Sequence, residues 1–334
     1  MRKVLVFGMT LLSAVLAHGQ AKKPLTLGHT ITLAGVTGKF DHFAMDDAGD
    51  RLFASAAGSH AVEVIDLKSG KVVQSLTGFG KPHGIAWIAE TGRLFVSDGD
   101  KGVLQIYEGS PLKMVKSIQL SEDADDMLYD AANKLLYVGH GGTNAANPSA
   151  VAVIDVAGLR LVKDIAVASH PEGLELDASG DRIFADISDA GEVDVIDGKT
   201  QTIEKKWPLV HEKGNTPLTY DAADDLLLIG CRTPAKLVVL SGKTGGELAS
   251  AASNTGADDL FYESKTHRTY LITGSGFVDS YTVASDGKLQ SLARTATASE
   301  AKTGLLVEGQ GVLYVGVPGT SGSAEVRVYR TGSK

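Results

Sequence analysis

Short runs of alternating apolar and polar residues recur along the chain at a nearly constant interval. An apolar pair marks each run: Leu52-Phe53, Leu94-Phe95, Leu136-Tyr137, Ile183-Phe184, Leu227-Leu228, Thr269-Tyr270 and Leu313-Tyr314, spaced 42, 42, 47, 44, 42 and 44 residues apart. A second alternating run follows each pair. Examples are Val62-Glu63-Val64-Ile65-Asp66, Val151-Ala152-Val153-Ile154-Asp155 and Val193-Asp194-Val195-Ile196-Asp197. Alternation of β-branched and aromatic residues with period two predicts strands. Turn segments such as Asp47–Asp50, Lys68–Lys71 and Ser179–Asp181 separate them. No convincing helical period occurs after the first twenty residues.

Self-similarity at this period is the signature of a repeat architecture. Four antiparallel strands per unit and seven units predict an all-β fold, a seven-bladed β-propeller, with strands a to d running outward from the axis. The blades are expected to start near 39, 81, 123, 170, 213, 257 and 301, within a single domain spanning 20–334. The last unit ends after its third strand, at Tyr329. The segment Leu25–Leu33 is a spare strand, expected to complete that blade and close the ring, which leaves only short protected edges. The extra length of the 47-residue unit falls in Gly139–Ser149, read as a long Gly/Asn loop between strands b and c.

The first residues read differently. Arg2 and Lys3 precede an apolar stretch, Val4–Leu16, and small residues at Ala17-His18-Gly19. This pattern predicts a signal peptide over 1–19 and a periplasmic or extracellular address. The stretch is too short to span a bilayer, so no membrane span is expected. The chain of 334 residues carries a formal charge of −8, and losing Arg2 and Lys3 takes it to −10. That disfavours a nucleic-acid partner, which needs a basic surface. Cys231 is the single cysteine, so no intramolecular disulfide can form. A monomer is expected.

Two units carry a family resemblance. Val62–Asp66, Gly70-Lys71-Val72-Val73 and Pro82-His83-Gly84-Ile85-Ala86 form one. Val151–Asp155, Leu161–Val167 and His170-Pro171-Glu172-Gly173-Leu174 form the other. Both resemble the YVTN-type propeller repeat of exported bacterial YncE-like proteins. The resemblance implies the seven-bladed ring and a periplasmic or extracellular location, and assures no catalytic residues. No Trp-Asp dipeptide is present, which sets the chain apart from WD-repeat propellers.

Aligning the units places one residue per blade at the start of strand a, facing the channel: Asp41, His83, Asp125, Glu172, Thr216, Asp258 and Thr303. The next position adds His42, Asp126 and Asp259. The b–c loops of the same face bring His140, Asp186 and Arg232, and Lys39, Lys81, Lys213 and Lys302 are expected nearby. Asp41, His83, Asp125, Glu172 and Asp258 are the candidate metal ligands. His42, Asp126, His140, Asp259, Asp186 and Arg232 are the candidate ligand-binding residues. Carboxylates with imidazoles suit a divalent cation, the one cofactor the sequence implies. The plain alternative is that these groups solvate a water-filled channel.

No phosphate-binding loop, zinc-protease helix or nucleophile elbow occurs. The reading therefore leans toward a non-catalytic binding or scaffold module that receives a small molecule or a protein at the channel mouth. A lactonase- or lyase-type enzyme using the same face is the alternative, by analogy of fold.

Overall fold

A computed structural model describes residues 23–332 apart from Ser321. The expected leader lies outside the described residues. The strands assemble into seven four-stranded antiparallel sheets arranged as a propeller. The inner strands, taken in chain order as blades 1 to 7, are Phe43–Met45, Pro82–Ile88, Met127–Asp130, Pro171–Leu176, Lys213–Asp221, Ala257–Glu263 and Gly304–Val307. Helical structure among the described residues is limited to two short 3-10 turns, Ala57–Ser59 and Glu308–Gln310.

The marker pairs explain how the blades cohere. Neighbouring side chains of a strand point to opposite faces, and here both faces are covered by adjacent blades. Leu52 packs with Ile31, Tyr314 and Val326 of blade 7. Its neighbour Phe53 packs with Ile85, Leu94 and Val96 of blade 2. Leu136 and Tyr137 divide in the same way between the seams to blades 2 and 4. Each seam thus has its own apolar core. Fully burying one such side chain contributes about 1.5–3 kcal/mol. A charged residue at either marker position would break one seam; Thr269 of blade 6 is accommodated because its hydroxyl donates to the Phe261 carbonyl oxygen at 2.8 Å.

The last blade is composite. Its strands run Gly304–Val307, Val312–Val317, Ala324–Thr331 and then Leu25–Leu33. The closing strand is antiparallel to Ala324–Thr331, from Leu25 opposite Thr331 to Leu33 opposite Ala324, with a shift between Leu27 and His29. Leu25, Ile31 and Leu33 are buried against the neighbouring blades.

Blade 3 departs from the sequence expectation. Gly139–Ser149 is not a long loop. Strands Leu135–Asn144 and Asn147–Asp155 extend through it as a hairpin. The Asn144 side-chain oxygen accepts the amides of Ala146 and Asn147, at 3.0 and 2.9 Å, and closes the turn. Glycine is required at Gly141. Its φ is +90°, and a Cβ there would lie 1.9 Å from the Pro148 carbonyl oxygen.

Candidate functional site

The inner strands converge so closely that side chains must give way to backbone. A Cβ at Gly84 would lie 2.3 Å from the Asp125 carbonyl oxygen. The Ser97 hydroxyl also donates to that carbonyl, at 2.8 Å. Blade 2 thereby fixes the start of blade 3 and the direction of Asp125. Asp98, fully buried, accepts the amides of Gly80 and Lys81, both at 2.9 Å, and so holds the loop that delivers Lys81 and His83.

Above these strands opens a cavity of about 490 Å³. It is lined by Asp41, His42, His83, Asp125, Asp126, Glu172, Arg232, Asp258 and Asp259, and by Thr216. Asp125 is the centre of the arrangement. His83 Nδ1 stands 3.1 Å from its Oδ2, His170 Nε2 3.7 Å from the same oxygen, and His42 Nε2 3.7 Å from Oδ1. His42 also faces Asp41 and Asp259, each at 3.5 Å. Two overlapping sets have ligand atoms mutually within 4.8 Å: Asp41, His42 and Asp125, and Asp125, His170 and Glu172. Neither ring nitrogen of His83 completes an aligned hydrogen bond, and Asp125 Oδ1 is buried without one.

The charges are strongly interdependent. Burial alone would lower the His42 pKa, but Asp259 foremost, then Asp126, Asp41 and Asp125, raise it to about 10. Burial opposes the charged form of His170 as well, and its contact with Asp125 lifts the pKa to about 9. Asp125 is held well below the usual carboxylate range: burial pushes it up, and His83, His170 and His42 outweigh burial. The carboxylates without so many cations move the other way. Burial raises Glu172 to about 7, Asp126 to about 6 and Asp259 to about 7. Glu175 rises to about 8, through burial and then the charge of Asp126.

Two comparisons based on sequence give nothing: no protein-family model matches the chain, and no curated protein matches it. Similarity in three dimensions is extensive. The chain superposes on one from a crystal structure of the mitotic checkpoint complex with a TM-score of 0.78 over 99% of both chains, at 13% identity. It also matches a chain of Kuenenia stuttgartiensis hydrazine synthase, with a TM-score of 0.78 at 16% identity, covering 90% of this chain and 98% of that one. At such identities the likeness establishes the propeller fold and nothing about chemistry.

Arg232 and Lys302 both pair with the Asp258 carboxylate, Lys302 at 2.7 Å, and tie it to the rim. Lys39 and Lys81 also line the cavity, and among the described residues neither has a carboxylate within 4.0 Å.

Three placements differ from the sequence expectation. His140 is not an accessible loop residue. It sits within the extended hairpin and is 3% exposed, with Nδ1 accepting the Ser121 amide and Nε2 against Asp164 at 3.2 Å. Asp186 lies outside the cavity, fully buried, accepting from the Asn215 amide at 2.9 Å, and burial raises its pKa well above the usual range. Thr303 does not line the cavity, whereas Gly304 does. In the other direction, His170, not among the candidates read from the sequence, turns inward onto Asp125. The signal was available: two positions before the ring residue stand Lys39, Lys81, Asp123 and His170, and all four line the cavity.

Proposed function

We propose that this chain is an exported, YVTN-type binding module that holds a divalent cation at its channel mouth and, through it, a small anionic molecule. Asp125 would be the central ligand, shared by the Asp41/His42 side and the His170/Glu172 side. The observation that carries this reading is the convergence of three imidazoles on one half-buried carboxylate whose buried Oδ1 has no hydrogen-bond donor. A mixed nitrogen and oxygen set suits zinc or manganese better than calcium. The cavity volume suits a small ligand. Lys39 and Lys81, without a carboxylate partner among the described residues, would meet the ligand's negative charge while the cation meets its donor atoms. The signal-peptide pattern of residues 1–19 and the acidic formal charge support export and argue against nucleic acid.

The test is metal analysis and calorimetric titration of the purified protein beside Asp125→Asn. Binding at the mouth is expected to vanish in the variant while the circular dichroism of the ring is kept. Wild-type protein that takes up no cation, or a variant that binds as well as wild type, overturns the reading.

A second reading has a specific observation behind it. Glu172, Glu175 and Asp259 carry raised pKa values near neutrality beside an open cavity, as a general acid or base requires. That favours lactone hydrolysis or elimination at the same face. A lactone panel assayed with wild type and Glu175→Gln separates it from binding alone.

A further inference from the structure

On the face opposite the mouth, inner strands end in an acidic residue that caps the turn to strand b. In blade 1, Asp46 Oδ1 accepts the amides of Asp50 and Arg51, at 2.9 and 3.0 Å, and Oδ2 takes Arg51 Nε at 2.8 Å. Blade 4 repeats the device with Asp177 and Arg182 Nε, also at 2.8 Å. In blade 3, Asp130 Oδ1 accepts the amides of Ala132 and Asn133, and Asn133 Nδ2 reaches Oδ2 at 2.7 Å. In all three blades both oxygens of a buried carboxylate have a donor.

Blade 5 breaks this rule. Asp221-Ala222-Ala223-Asp224 matches Asp130-Ala131-Ala132-Asn133 position by position, with a carboxylate where blade 3 has the donating amide. Asp221 is 1% exposed. Its Oδ1 accepts the Ala223 amide at 3.1 Å, and its Oδ2, with the Tyr262 hydroxyl nearby, completes no aligned hydrogen bond. A buried carboxylate whose donor has been replaced by a second carboxylate is costly unless a cation joins the pair. The a–b turn of blade 6 brings a third group. His267 places a ring nitrogen so that ligand atoms of Asp221, Asp224 and His267 all lie within 4.8 Å of one another. The Tyr262 hydroxyl stands 3.0 Å from His267 Nδ1 and so orients the ring.

We infer that Asp221, Asp224 and His267 form a second divalent-cation site, which ties blade 5 to blade 6 on the face away from the channel mouth. It is independent of the mouth reading. Two carboxylates with one imidazole select zinc or manganese over calcium, and the open positions are filled by water. Because the ligands come from two blades, the cation binds only the assembled ring and stabilises it by mass action.

Zinc titration followed by calorimetry and by thermal unfolding tests this, using wild type, Asp224→Asn, His267→Ala and Asp125→Asn. Asp224→Asn restores the amide of blade 3, so its metal-free melting temperature is expected to equal or exceed that of wild type. It should also lose one zinc equivalent and the zinc-dependent rise in melting temperature that goes with it. His267→Ala should lose the same equivalent. Asp125→Asn should retain it, whatever happens at the mouth. The inference is overturned if Asp224→Asn and His267→Ala bind as many equivalents as wild type, or if the only equivalent bound is the one that Asp125→Asn removes.

Discussion

His170 meets Asp125 through Nε2, at 3.7 Å, while its Nδ1 is held 2.9 Å from the Gly141 carbonyl oxygen. The long hairpin of blade 3 therefore sets the angle at which an imidazole from the next blade approaches the central carboxylate. Among the described residues, no side chain of the hairpin lines the cavity. The hairpin offers a carbonyl, and that carbonyl belongs to a residue where only glycine fits.

Gly141→Ala is expected to act at a distance for this reason. The backbone at φ +90° and the Pro148 carbonyl leave no room for a Cβ. The strain costs about 1–3 kcal/mol, and relief of it displaces the His170 acceptor. Calorimetry should show weaker cation binding at the mouth together with a lower melting temperature. An unchanged affinity would mean that the hairpin does not position His170.

The closing strand should govern the stability of the entire ring. Ile31 and Leu33 are buried in the seam between blades 7 and 1. Replacing either with alanine is expected to cost about 2–5 kcal/mol, read as a lower urea midpoint with one cooperative transition. Removal of the chain through Gly35 should prevent cooperative folding altogether.

Acid stability depends on the turn carboxylates. In Asp46 burial acts to raise the pKa, but the Arg51 side chain and the amides of Arg51 and Asp50 more than offset it, so the folded pKa is depressed. Asp177 is depressed in the same way by Arg182 and Ser179. A depressed carboxylate contributes stability above its unfolded pKa and loses it as pH falls through the folded value. Asp46→Asn and Asp177→Asn should therefore cost about 1–3 kcal/mol each at neutral pH. The difference from wild type should shrink below about pH 4, where an unfolded aspartate takes up its proton. Denaturant melts across that range check the sign.

Cys231 is fully buried in the seam between blades 4 and 5, and burial pushes its thiol pKa up. It should not react with aromatic disulfide reagents in the folded protein and should react at once in denaturant. Rapid labelling under native conditions would mean that this seam opens.

Most of the fold could be read from the sequence because each blade must bury both faces of its second strand. The pairs from Leu52-Phe53 to Leu313-Tyr314 carry that demand openly. The spare strand Leu25–Leu33 could be read for the same reason, since an incomplete last unit requires a partner. The site was only partly legible. Asp41, His42, Asp125 and Glu172 follow from alignment of the repeat, which fixes where strand a begins. The alignment places His170 two positions before a ring residue, but the direction of its ring, like that of His140, does not follow from the alignment. Whether an imidazole turns inward depends on hairpin length and on a carbonyl from another blade, and neither leaves a mark in the alternation pattern. The unpaired Asp221 was hidden until its hydrogen bonds could be compared with those of Asp130.

The composite blade has a mechanical consequence. Leu25 lies opposite Thr331, so the two ends of the described chain leave the ring at the same end of one antiparallel ladder. Tension applied between them would load the hydrogen bonds of that ladder one at a time, as a zip is loaded, rather than all together in shear. The propeller would then yield first at its clasp under modest force, while the six blades closed by continuous chain would bear almost none of the load.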